Sequence, residues 1–156
     1  MPFQTTFSDA EFSAKRKKTR CEVFLAEMER VMPWARLYDV IEPHYHHNRR
    51  GRPAYPLTVM LRIHLLQNWY NFSDRAMEDA LYEISFLRQF AQLNQLQAMP
   101  DETTILNFRR FLEKHDLGKG AFEAVNAQLR VENLVLERSS LVDATLIHAP
   151  TSTKNL

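Results

Sequence analysis

Residues 57 to 70 read LTVMLRIHLLQNWY, and the fold class turns on them. Apolar side chains occupy almost every side of a helical wheel drawn through this run, with Arg62 and His64 as interruptions. Those two polar residues make it a poor membrane span. Pro56 suits a first helical turn, and the apolar pattern continues to Tyr70. A helix that is apolar nearly all round belongs at the centre of a bundle, covered by other helices.

The flanking sequence supplies the cover. Three glycines in 156 residues leave few positions that accept positive φ, which excludes the many tight hairpins of an all-β fold. Prolines act as punctuation instead: Pro33, Pro43, Pro53 with Pro56, Pro100 and Pro150 separate segments whose apolar residues recur at helical spacing. The expected fold is all-α, a helical bundle. SDAE at 8 to 11 has capping-box form and predicts a first helix whose core side continues through Val23, Phe24, Met28 and Val31. A shorter helix follows from Trp34 to Ile41. Ser73 and Asp74 cap RAMEDALYEI, SFLRQFAQL follows a bend near Ser85, and Asp101 caps ETTILNFRRFLEKH. Gly118 reads as the end of that helix, and FEAVNAQLRVENLVL carries Phe122, Val125, Leu129 and Leu136 on one face of the last one. SLVDATLIHA, at 140 to 149, is aliphatic or β-branched at nearly every position and reads as a buried strand, an orphan that cannot form a sheet alone.

Composition narrows the function classes. Hydrophobic residues make up 45% of the chain, enough for a core. The net charge of +1 conceals a basic N-terminal third, with ten Lys and Arg against seven Asp and Glu in residues 1 to 52. Cys21 is the sole cysteine, so no intrachain disulfide exists; it reads as a small core residue in a reducing, cytoplasmic compartment. No signal peptide opens the chain. Neither a phosphate-binding glycine loop nor a Ser-His-Asp arrangement stands out.

The informative pattern lies in residues 101 to 114. Ile105, Phe108 and Leu112, with Phe111 beside them, form an apolar stripe; Thr103, Asn107, Arg110 and Lys114 form the opposite one, with Glu102 and Glu113 off to the side. Four donors and no acid suit a helix in the major groove, where Asn pairs with adenine, Arg with guanine, Thr with base edge or phosphate, and Lys with the backbone. The bland alternative is an ordinary solvated face. SDRAMEDAL, a short helix and this capped helix resemble a helix-turn-helix unit, although NQLQAMPD is longer than the usual turn.

Two basic stretches point towards phosphate as well. HNRRGRPAYP at 47 to 56 holds Arg49, Arg50 and Arg52 around Gly51, and its RGRP looks like an AT-hook, whose arginines enter the minor groove of A·T-rich DNA; local ion pairing is the alternative. KRKKTR at 15 to 20 contributes Lys15, Arg16, Lys17, Lys18 and Arg20, an unrelieved positive run that nearby phosphates would stabilise. His44, His46 and His47 suggest phosphate contact or solvent rather than zinc, because no thiol pair sits at finger spacing. Trp34 and Trp69 read as core anchors.

RRGRPAYPLTVMLRIHLLQNWYNFSDRAMEDALYEI, MPDETTILNFRRFLEKHDL and LVDATLIHAPTSTKN together resemble the N-terminal part of bacterial transposases of the insertion-sequence-five family, from about Phe7 to Asn155. The resemblance implies a helical DNA-binding domain at 1–138 and the start of an RNase H-like domain at 139–156, in which a DDE carboxylate triad uses divalent metal, Mg²⁺, to cut and join DNA. Asp143 matches the first acid, and so a metal ligand, of that triad. No acid follows it in TLIHAPTSTKNL, so the expectation is a truncated catalytic domain, no cofactor for this chain and no strand cleavage by it alone. The expected function is recognition of the terminal inverted repeats in double-stranded DNA, in the cytoplasm at the bacterial nucleoid. The rival expectation is an interaction protein that dimerises with itself or with intact transposase and inhibits transposition; a free-standing transcriptional regulator is a third.

Overall fold

The computed structural model describes residues 7–45, 53–94 and 96–132, and all regular structure among them is helical. The order is α1 (Phe7–Ala14), α2 (Arg20–Val31), α3 (Trp34–Ile41) with a 3₁₀ turn (Glu42–His44), α4 (Leu57–Tyr70), α5 (Asp74–Glu83), α6 (Ser85–Phe90), α7 (Glu102–Lys114) and α8 (Leu117–Val131). The all-α expectation holds. The expected strand at 140–149 lies outside the described residues. No helix among the described residues is long and apolar enough to cross a membrane.

Helix α4 is the central rod that its all-round apolar pattern requires. Leu57, Val59, Met60, Leu61, Ile63 and Leu66 are all buried. It packs on α5 and α7, while α8 lies across α3 and α7, and α6 receives α1 and α2. Close packing of α8 on α3 depends on Gly120, where an added Cβ would stand 3.2 Å from Val40 Cγ1. Helix ends follow local chemistry. The Ser73 hydroxyl accepts from the Ala76 amide at 3.1 Å, and the Asp101 carboxylate from the Thr104 amide at 2.7 Å. Asn71, at φ 55°, closes α4 in the left-handed conformation that a short polar side chain tolerates.

Arg62 is buried in the core, with 4% of its surface exposed. Its guanidinium donates from both Nη atoms to the Glu29 carboxylate, from Nη1 to the Phe90 carbonyl at 3.0 Å, and lies 4.0 Å over the Trp34 ring. A charge can be buried there because both Nη groups meet acceptors and its flat face rests on aromatic surface, although Nε has no partner among the described residues. Trp34 and Trp69 pack against the core as expected.

Three local readings are corrected. The N-terminal segment is two helices, because the capping box is Thr19 with Glu22: the Thr19 hydroxyl accepts from the Glu22 amide at 3.3 Å, and Glu22 Oε2 from the Thr19 amide at 3.1 Å. Restarting the helix at Arg20 resets its phase, so Leu25 and Met32 face inward while Val23 is 56% exposed and Phe24 and Cys21 are also on the surface. Secondly, α7 ends at Lys114, four residues before Gly118: Asp116, at φ 51°, makes the reversal, and Gly118 falls in the first turn of α8. Thirdly, Phe122 on α8 is exposed rather than part of a buried face, whereas Val125 packs against the core.

Candidate nucleic-acid interface

Helix α7 presents two faces of opposite character. Ile105, Phe108 and Leu112 are buried, and Thr103, Asn107, Arg110 and Lys114 are all exposed. At about 100° per residue those four lie within an arc of about 60°. Glu102, Arg109 and Glu113 fall together on one flank of the stripe; Thr104, Phe111 and His115 fall on the other. The two arginines of LNFRRF therefore separate. Arg109 Nη2 stands 2.6 Å from Asp74 Oδ2 at the start of α5, and Gln67 Nε2 donates to the other oxygen of the same carboxylate at 2.9 Å. Arg110 makes no ion pair among the described residues and stays on the outward stripe.

Beside the stripe, along the flank without acids, runs a groove of about 610 Å³. Asn107, Arg110 and Lys114 line it from α7, Met60 from α4, and His44, Tyr45 and Pro53 to Tyr55 from the opposite wall. No Asp or Glu lines it. The wall is held by backbone acceptors: the Tyr45 hydroxyl donates to the Tyr55 carbonyl, and the Tyr55 hydroxyl to the Ala98 carbonyl at 3.1 Å. Burial pushes the Tyr45 phenol above its ordinary pKa. Deeper, His64 packs edge-on to Phe108 at 6.2 Å, and burial, reinforced by the positive charge of Arg109, pushes its imidazole below its ordinary pKa against a smaller opposing pull from Glu113.

The sequence candidates distribute unevenly. Thr103, Asn107, Arg110 and Lys114 share one surface as expected. The basic run is elsewhere. Lys18 lines a cleft with Arg62, and Arg62 is two residues, about 200°, round α4 from Met60, so that cleft opens on the other side of the central helix from the groove. Lys15 is engaged there by Glu22 and lies 4.1 Å over the Phe12 ring; Arg16, Lys17, Lys18 and Arg20 are exposed and make no ion pair among the described residues. Arg49, Arg50, Arg52, His46, His47 and Asp143 lie outside the described residues. Pro53 and Tyr45, the described residues flanking 46–52, both line the groove. Sequence reading missed the groove itself, because its two walls are contributed by segments some fifty residues apart. The only advance signal was the cluster of aromatic residues around Tyr45, Tyr55, Phe108 and Phe111. Among the described residues no three His, Cys, Asp or Glu side chains are grouped to hold a metal ion.

An all-α bundle with an acid-free polar helix face beside an acid-free groove defines the class: a helical domain with a candidate binding surface. A family model described as Transposase domain (DUF772) matches residues 11–111, which spans α2 to α6 whole, α7 as far as Phe111, and most of the helical region. The chain belongs to that transposase-domain family. No solved structure matches it.

Proposed function

We propose that this region recognises DNA for a transposase of the insertion-sequence-five family, laying α7 in the major groove of the element's terminal inverted repeats. The observation that carries the reading is the exposed stripe of Thr103, Asn107, Arg110 and Lys114, free of acids, on a helix held from behind by its buried stripe and by the Arg109–Asp74 pair. Base readout needs donors fixed on a rigid element, and phosphate contact needs positive charge without nearby repulsion. Asn107 suits adenine, Arg110 guanine, and Lys114 the backbone.

The packing of α5 on α7 supports a helix-turn-helix-like use of the two, with α6 and residues 91–101 as an enlarged connection. In the same reading Arg49, Arg50 and Arg52, whose RGRP looks like an AT-hook, contact the minor groove of the DNA. On that reading the DDE chemistry that the family resemblance implies, with Asp143 as the first Mg²⁺ ligand, falls to residues outside the described ones. The test is a competition mobility shift with inverted-repeat duplex against a scrambled duplex of equal length. Preference for the inverted repeat that drops in Asn107→Ala is expected; equal affinity for both duplexes would overturn the reading.

A further inference from the structure

The α7 stripe reaches stacked bases by their edges, which leaves the adjoining groove without a role. Its lining is distinctive. His44 packs on His115 with centroids 4.9 Å apart, His115 meets Phe111 edge-on at 5.2 Å, and Phe111 meets Tyr45 at 5.7 Å. This chain of rings begins in the core at Phe108, 5.8 Å from Phe111, and ends at His44 on the surface. Core packing accounts for Phe108 but not for His44, which is exposed and outside the core cluster. At the mouth stand Asn107, Arg110 and Lys114, and no acid faces them across the opening.

Flat π surface with cationic donors at the edge and no negative charge is matched by a ligand that is planar at one end and anionic at the other. A nucleotide has that form. The groove's volume of about 610 Å³ is that of a small-molecule site rather than of a packing defect. Bases in an intact duplex cannot present their faces to such a wall, because their faces are occupied by neighbouring bases; a base must be unstacked to do so.

We propose that this groove takes one unstacked nucleotide, its base against the rings of His44, Phe111 and His115 and its phosphate at Lys114. Resting on the DNA-binding reading of α7, the inference adds a second mode of contact at the same site: α7 holds duplex by its edges while the groove holds a base that has left the stack. Aromatic stacking is tolerant of base identity, so the groove selects structure rather than sequence.

The experiment compares the full chain's affinity for a perfect inverted-repeat duplex with that for the same duplex carrying a single unpaired adenine, with dAMP as competitor. The bulged duplex is expected to bind about tenfold more tightly, the order of one base–aromatic stack. His44→Ala, at an exposed position, and Phe111→Leu, which keeps apolar bulk, should both reduce that ratio towards one, with unchanged circular dichroism. Displacement of the bulged but not the perfect duplex by dAMP would support the same site accepting a free nucleotide. Tight perfect-duplex binding with a ratio near one overturns this inference and leaves the proposed function standing. A ratio that survives in both variants also overturns it, since the preference would then arise from duplex flexibility. Absence of binding to any DNA overturns both.

Discussion

Arg109 and Arg110 are neighbours in sequence with opposite tasks, and substituting each by alanine separates them. Arg109 is tied to Asp74, with side chains 44% and 19% exposed. An ion pair this open contributes at most about 1 kcal/mol. Asp74 also keeps its hydrogen bond from Gln67 when Arg109 is gone, so no buried charge is orphaned. Arg109→Ala should therefore lower stability by less than about 1 kcal/mol and weaken binding to all duplexes alike, through looser anchoring of α7 on α5. Arg110 is exposed, and its loss should leave stability within about 0.5 kcal/mol. If it reads a base by two hydrogen bonds, its removal costs about 1 to 3 kcal/mol of discrimination, or about 5- to 150-fold in the ratio of inverted-repeat to scrambled affinity. Urea denaturation measures the first quantity and competition mobility shifts the second. Equal loss of discrimination in both variants, or unfolding of Arg110→Ala, would refute the assignment of one arginine to packing and the other to bases.

Lys114→Ala should weaken inverted-repeat and scrambled duplex equally and reduce the salt dependence of binding by about one unit of log–log slope, read from titrations across a salt series. Glu29→Ala removes the carboxylate from the buried Arg62 guanidinium. Because the Glu29 side chain is 49% exposed, water can take part of its place, and a loss of about 1 to 3 kcal/mol in urea denaturation is expected rather than the full cost of breaking a wholly buried pair. His64 is half-buried, with Nδ1 shielded from solvent and unpartnered among the described residues, and burial depresses its imidazole pKa below 6.5. The unfolded chain then takes up a proton before the folded one does, so His64's contribution is fully present above about pH 6.5 and is lost as pH falls through the folded value. Denaturation at pH 7.5 and 5.5 should show a smaller acid loss in His64→Phe than in the unsubstituted chain; an identical loss would place the sensitivity elsewhere.

Much of the fold was legible because local chemistry and periodicity agreed. Pro56, Ser73 and Asp101 mark helix starts within a residue of where α4, α5 and α7 begin, since each solves a purely local problem of orphan amides or fixed φ. The N-terminal segment was harder. SDAE and TRCE are both capping boxes by pattern, and the choice of Thr19 as the cap sets the phase that exposes Val23 and Cys21. Gly118 was similarly plausible as a helix end, yet Asp116 made the turn, because an aspartate tolerates the left-handed region well enough for tertiary packing to decide.

By itself the sequence determined the helical class, the central position of α4 and the two faces of α7, because each depends only on the angular spacing of apolar and polar side chains along one segment. Tertiary structure alone decided what stands next to those faces. It placed Arg62 against Glu29 and the rings of Trp34 and Phe90, turned Arg109 towards Asp74 and left Arg110 outward, set the basic run and the α7 stripe on different sides of α4, and brought Tyr45 and Tyr55 across from Asn107 and Lys114 to make a groove. Periodicity describes one helix at a time, and these relations exist only once helices distant in sequence have packed and their side chains have competed for the same partners.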